Sequence, residues 1–225
     1  MNTKLKTRVD NDDDNFILGM SKEPLGFTVK SQSFNNFSVH LFDEVRDAGH
    51  YSKVFDMMVD SGENDLIDFF ISSNGGDLDG LNILLEGIKL TDATVRAIIV
   101  GSCHSAASIF ALNAHEVIVT DSASMLVHNL RTGFGGKMAD LEAFTNFSSK
   151  MSNKLITSTY SGFLNSRELD EVLRGHELWL DADQIRERLQ NRAEFLEAKF
   201  EAEEAALQEQ EAPKKPSRKK AAPKE

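Results

Sequence analysis

Val95-Arg96-Ala97-Ile98-Ile99-Val100-Gly101-Ser102-Cys103-His104-Ser105-Ala106-Ala107-Ser108-Ile109-Phe110-Ala111-Leu112-Asn113 sets the class of fold. Its first six residues are apolar and β-branched enough for a buried strand. Gly101 to His104 reads as a tight turn, and the small apolar run over 105–113 suits a buried helix. The unit before it has the same grammar. Leu66-Ile67-Asp68-Phe69-Phe70-Ile71 reads as a buried strand. Ser72-Ser73-Asn74-Gly75-Gly76 reads as a turn, and Leu78, Leu81, Leu84, Leu85 and Ile88 fall at helical spacing. Two strand–turn–helix units in succession predict an α/β domain with short crossovers.

Further out, Phe37 to Phe42 alternates weakly, as a strand does, and Tyr51, Val54, Phe55 and Met58 suggest an amphipathic helix over about 45–60. Val117-Ile118-Val119 and Met125-Leu126-Val127 read as two more short strands. A long helix is predicted over about 138–160, a short capped one over 166–174 ending at Gly175, and a charged helical stretch over 181–211. The expected organisation is a loose arm over 1–33, a catalytic-type domain over 34–184, a helical extension over 185–211 and a disordered basic tail over 212–225.

Composition narrows the function. The 225 residues carry a formal net charge of −11. That charge sits in the body of the chain, which argues against nucleic acid as a main partner. The tail, Ala212 to Glu225, instead holds six basic residues and three of the four prolines. Cys103 is the only cysteine, which rules out an intramolecular disulfide, and the six histidines lack metal-ligand spacing. No metal or other cofactor is expected. No apolar run reaches the roughly 18–20 residues of a membrane span, and the N-terminal stretch lacks a secretory apolar segment. The expectation is a cytoplasmic protein.

Ser105 follows directly on a turn and opens a helix, so its Oγ is presented and the helix N-terminus supplies unpaired N–H groups. A glycine pair at the neighbouring junction lets backbone N–H groups approach a substrate oxygen. The N–H groups of Gly76 and Ala106 are the candidate oxyanion hole. A nucleophilic serine needs a base, and His128, at the end of a short strand, is the candidate. A third group should orient the imidazole, with Glu177, Asp181 and Asp183 as choices. Taken locally, a serine in this place is usually just a helix cap, and residues 101–108 do not form the GxSxG elbow of α/β-hydrolases. Cys103 reads as a small buried residue, His104 as a hydrogen-bonded structural histidine, and His176 as a surface residue.

The ordered set of motifs resembles the proteolytic subunit of Clp proteases, a self-compartmentalising serine peptidase family. Ser73-Asn74-Gly75-Gly76-Asp77 resembles its Ser-Pro-Gly-Gly turn, and Gly101 to Ala106 resembles its Gly-Gln-Ala-Ala-Ser-Met nucleophile turn. Met125-Leu126-Val127-His128-Asn129 resembles its histidine segment, Gly133 to Gly136 its glycine-rich strand, and Trp179-Leu180-Asp181-Ala182 its Phe-(Met/Leu)-Ser-Ala segment. The spacings of Gly76 to Ser105, Ser105 to His128, and His128 to Glu177 follow the family layout, the second slightly short. The resemblance covers about residues 37–195. It implies a Clp-protease and crotonase-like repeated β-β-α superhelix with a protruding handle helix. It implies Ser105 as nucleophile, His128 as base, Glu177 as third member, and Gly76 and Ala106 as oxyanion donors. It further implies Gly133, Phe134 and Gly135 as a substrate-binding edge strand.

The implied function is a serine endopeptidase acting by acyl transfer on peptides or unfolded protein, inside a homo-oligomeric ring that is stacked in pairs. Several departures bear on this. Glu177 stands where the family has aspartate, Asn74 replaces the proline of the turn and should loosen it, and Ala106 replaces methionine. The Asp- and Asn-rich arm does not resemble the segment that meets an ATPase ring, so a AAA+ unfoldase partner is not implied. This divergence is similar to that of phage or prophage members, including head-maturation proteases. Two alternatives stand beside it: a ring-forming assembly or scaffold protein with a decayed site, and an acyl-CoA-binding crotonase-fold protein.

Overall fold

The computed structural model describes residues 34–211, apart from Thr132 and Phe134, and the arm and tail read from sequence lie outside the described residues. The described residues fall in the compact unit that spans Ser33–Glu225. Strand β1 (Asn36–Leu41) leads through a short 3-10 turn (Ala48–Tyr51) into helix α1 (Ser52–Asp60). There follow β2 (Leu66–Ser73), α2 (Leu78–Leu90), β3 (Thr94–His104), α3 (Ala106–Asn113), β4 (Glu116–Val119) and β5 (Ser124–Val127). The chain then forms α4 (Met138–Tyr160), α5 (Ser166–Leu173), β6 (Leu178–Asp181) and α6 (Ala182–Glu211).

The strands make one mixed sheet in the order β1-β2-β3-β5-β6, with β4 also on β3. All pairings are parallel except β5 with β6. This is the α/β arrangement expected from the strand–turn–helix grammar.

Strand β3 differs from its predicted extent. Gly101 to His104 is strand, not turn, because β3 finds two partners on one side: Arg96 to Ile99 pair with β4, and Ser102 to His104 pair with β5. A second partner satisfies backbone groups that would otherwise favour turning the chain. Strand β6 was not predicted either. Its four residues alternate between half-buried or exposed and buried positions only because they close the sheet against β5. Gly133 and Gly135 lie outside any strand, so the expected glycine-rich edge strand does not form there, and Phe134 lies outside the described residues. Glycines gain nothing from strand packing to offset their backbone entropy.

The core lies between the sheet and helices α2 and α3. Ile67, Phe69 and Ile71 of β2 and Val95, Ala97 and Ile99 of β3 face it and are essentially inaccessible. Phe69 meets Phe110 of α3 with ring centroids 4.6 Å apart. Every residue of α3 from Ala106 to Leu112 is buried. Small side chains let this helix lie inside the fold, and Phe110→Ala would cost about 3–5 kcal/mol by opening a cavity.

Helix α4 buries only Ser152, Ile156, Thr159 and Tyr160, all toward its C-terminal end. Helix α6 runs unbroken from Ala182 through the predicted 184/185 boundary. Its first turns belong to the core through Ile185, and Arg192 fastens it there. The Arg192 guanidinium donates to Leu112 O (3.0 Å), Ser161 O (3.2 Å) and Thr159 O. It thereby caps the carbonyl ends of both α3 and α4, groups that no helix can satisfy internally.

Candidate active site

Ser105 sits between the end of β3 and the first turn of α3. It has φ 56° and ψ −122°, and it is the one non-glycine residue with positive φ among the described residues. Such a conformation costs on the order of 1–3 kcal/mol in a residue with a Cβ. The sequence lacks the GxSxG pattern, yet the backbone makes the same kind of sharp strand-to-helix turn. Ser105 N–H donates to Leu126 O of β5 at 2.9 Å. Ser105 O accepts from Ser108 N (3.0 Å), Ile109 N (3.2 Å) and the Ser108 hydroxyl (2.7 Å). Behind it, buried Tyr160 donates its hydroxyl to Ser108 Oγ at 2.6 Å. Burial pushes the Tyr160 phenol well above its usual range, so this proton stays in place. The strained turn is therefore clamped from both ends. Ser105 makes no side-chain cap bond to α3, so its Oγ is not used as a helix cap.

The neighbouring turn packs directly on it. Gly75 (φ 90°) is close enough that an added Cβ would lie 2.6 Å from His104 O, 2.7 Å from Ser105 Cβ and 2.9 Å from Ala106 N. Only glycine permits this approach. Gly76 forms a parallel bridge with Val45, in which Val45 N donates to Gly75 O (2.8 Å) and Asp77 N to Val45 O (2.7 Å). A parallel bridge leaves the N–H of its central residue unused by the partner strand. The first N–H of α3, that of Ala106, follows directly on Ser105.

Asn74 ties this turn to the end of β3. Its Oδ1 accepts from His104 Nδ1 at 3.1 Å, while the Ser124 hydroxyl donates to His104 Nε2 at 3.1 Å. The ring also stands edge-on to Trp179, with centroids 5.1 Å apart. Desolvation lowers the His104 pKa, which keeps the ring neutral and fits this donor–acceptor pattern. With both nitrogens engaged, His104 is a bolt between the glycine turn and β5, not a base. Cys103 is fully buried, and burial pushes its thiol far up, so it is inert.

His128 follows β5 by one residue and lies on the same side of the strand as Ser124 and Leu126, the half-buried face opposite the core. Its Nδ1 donates to the carbonyl of Asn129. A carbonyl only accepts, so Nδ1 carries a proton, and in the neutral ring Nε2 then holds the lone pair. Glu177 is placed by register. Strand β5 pairs antiparallel with β6 from Ser124↔Asp181 to Val127↔Leu178, and one more step sets His128 opposite Glu177. The Glu177 carboxylate is nevertheless bonded to the exposed Arg131 guanidinium at 2.6 Å. Asp181 and Asp183 are also engaged elsewhere: Asp181 caps α6 through Gln184 N (2.9 Å), and Asp183 pairs with Arg186 (2.8 Å). Sequence reasoning gave no role to Asn129 or Arg131. Asn129 entered only as the last residue of the histidine segment, and only the fold shows what the two side chains touch.

A family model for the Clp protease matches residues 21–186. The chain belongs to the Clp protease family. Comparison with curated proteins gives no match. Members of the Clp protease family form oligomeric rings and bind peptide substrates. In this Clp protease relative, the glycine turn, the strained serine and the post-strand histidine all come to one end of the parallel strands. Among the described residues, no three His, Cys, Asp or Glu side chains gather as a metal site, and no helix is long and apolar enough to cross a membrane.

Proposed function

We propose that the protein is a serine endopeptidase that cleaves peptide bonds by acyl transfer, with Ser105 as nucleophile and His128 as general base. The observation that carries this reading is the strained, non-glycine backbone of Ser105 at the head of a buried helix, with Gly75 packed against it. Strain of this size persists in a site whose geometry matters more than local stability. Ser105 Oγ attacks the scissile carbonyl carbon and passes its proton to His128 Nε2. The oxyanion formed meets the Gly76 and Ala106 N–H groups. Collapse of the tetrahedral adduct breaks the C–N bond, and the amine leaves with the proton from His128. Water, deprotonated by the same nitrogen, then releases the acyl group from Ser105.

The substrate is an extended peptide or unfolded protein, and the active form is a homo-oligomeric ring in which α4 serves as the handle between subunits. The location is the cytoplasm, with a phage-encoded head-maturation protease as the specific setting. No ATPase partner is needed for this reading.

The test is reaction of the full chain with a fluorophosphonate probe, followed by mapping of the adduct. Labelling at Ser105, lost in Ser105→Ala together with at least about a thousandfold of peptidase turnover, is the expected result. Labelling that persists in Ser105→Ala overturns the assignment. A second reading, a ring-forming scaffold with a decayed site, draws on the Arg131–Glu177 ion pair, which occupies the carboxylate set opposite His128. Ser105-dependent turnover excludes it.

A further inference from the structure

The imidazole of His128 needs a partner at Nδ1, and the acidic residue set opposite it is not that partner. Glu177 is bonded to Arg131, while Nδ1 donates to the main-chain oxygen of Asn129. The Asn129 side chain is itself tied at three points. Its Nδ2 donates to Leu173 O, at the carbonyl end of α5, at 3.0 Å. Its Oδ1 accepts from the Ser152 hydroxyl of α4 at 2.5 Å and from Leu130 N at 2.7 Å. Ser152 is one of the few buried residues of α4. A buried hydroxyl on an otherwise exposed helix is retained only where its hydrogen bond offsets the cost of desolvation.

These contacts have one common effect. They hold the residue that follows His128 against two helices, α5 through Leu173 and α4 through Ser152. The direction of the Asn129 carbonyl is thereby fixed, and with it the ring plane and tautomer of His128. We propose that Asn129 is the positioning residue of the histidine, doing through its backbone oxygen and its anchored amide what a carboxylate does in a Ser-His-Asp triad. The proposal rests on the reading of His128 as general base.

The experiment uses the full-length protein, a fluorogenic unstructured peptide, and the variants Asn129→Ala, Ser152→Ala and Glu177→Gln. Asn129→Ala should lower kcat by about 10–100-fold with KM little changed, the range seen when a partner that orients a functional histidine is removed. An N–H donor to a carbonyl is worth more when the ring is charged, so a carbonyl released from its anchored direction disfavours imidazolium. The acid limb of kcat/KM should therefore move to lower pH, which mere loss of folded protein does not produce. Ser152→Ala should show the same pattern more weakly, and it serves as the informative variant if Asn129→Ala does not fold. Glu177→Gln should cost only a few-fold. An Asn129→Ala enzyme with wild-type kcat and acid limb overturns the proposal, as does a thousandfold loss in Glu177→Gln alone.

A readout independent of turnover separates this inference from the one it rests on. Imidazole 15N shifts of labelled histidine should report His128 as the Nδ1–H tautomer in the wild type and a mixture in Asn129→Ala. A held tautomer in a protein that fails fluorophosphonate labelling removes the base reading and leaves the positioning intact. Labelling at Ser105 with the Nε2–H tautomer in the wild type does the reverse.

Discussion

The two strand–turn–helix junctions of the sheet are built alike and finished differently. At the β2–α2 junction, Asp77 takes an ordinary extended conformation and its Oδ1 accepts from Asp79 N and Gly80 N, both at 2.9 Å. Glycines absorb the positive φ values just before it. At the β3–α3 junction the residue in the corresponding place, Ser105, carries the positive φ itself and caps nothing. One junction is finished for stability. The other leaves its helix without a side-chain cap and holds a serine in a costly conformation. The difference separates what the fold requires from what the proposed chemistry requires, because the same architecture is satisfied by either ending.

That contrast can be broken most severely at the point where the junctions touch. Gly75→Ala places a Cβ within 2.6–2.9 Å of His104 O, Ser105 Cβ and Ala106 N at φ 90°. The expected outcome is a stability loss of about 2–5 kcal/mol by urea titration. Peptidase activity in the remaining folded protein should fall by about 10²–10³, because the Gly76 N–H is displaced. Asp77→Ala should cost about 1 kcal/mol in the same titration, since two first-turn N–H groups lose their acceptor, with kcat close to wild type.

Ser105→Gly should have the opposite sign. Relief of about 1–3 kcal/mol of strain exceeds the entropic cost of glycine, so a gain of about 1 kcal/mol is expected alongside complete loss of fluorophosphonate labelling. A Ser105→Gly protein less stable than wild type would show that the turn is not strained.

The smallest effect is on pH dependence and belongs to His104, the bolt between the junctions. Its folded pKa is lowered by desolvation. Between that value and about 6.5 the unfolded chain binds the extra proton and the folded chain does not. Stability is thus intact above about pH 6.5 and declines as pH falls through that window. His104→Gln should flatten this part of the urea-midpoint profile between pH 7.5 and 5 while leaving the rest unchanged.

Much of the architecture was legible because burial leaves a periodic trace. The apolar run of Leu66 to Ile71, the helical spacing of Leu81, Leu84, Leu85 and Ile88, and the extent of the 138–160 helix all appear in the structure as the pattern predicts. What failed to show depended on partners distant in sequence. Gly101 to His104 is turn-like by composition and becomes strand only because β5 arrives to pair with it. The four residues of β6 are too few for a period to register.

The candidate site divides in the same way. Ser105, Gly76, Ala106 and His128 could be named because each belongs to a short motif at the end of a periodic element. The surroundings of His128 could not be read, since they turn on which side chain a carboxylate prefers. Glu177 has the expected spacing and the expected register, yet Arg131, three residues past the histidine, holds it in a 2.6 Å ion pair. Asn129 is one polar residue among many until Ser152 and Leu173 are seen on either side of it.

Helix α3 is enclosed from its first residue, Ala106, to Leu112. Mobile ions cannot line its flanks as they do those of a surface helix, where added salt weakens the field at the ends within a Debye length of about 8–10 Å. The attraction of the Ser105 end for a developing negative charge should therefore hold nearly constant across ionic strength. A boronic-acid inhibitor, which becomes anionic only on forming its adduct with the serine, should bind about as tightly in molar sodium chloride as in dilute buffer.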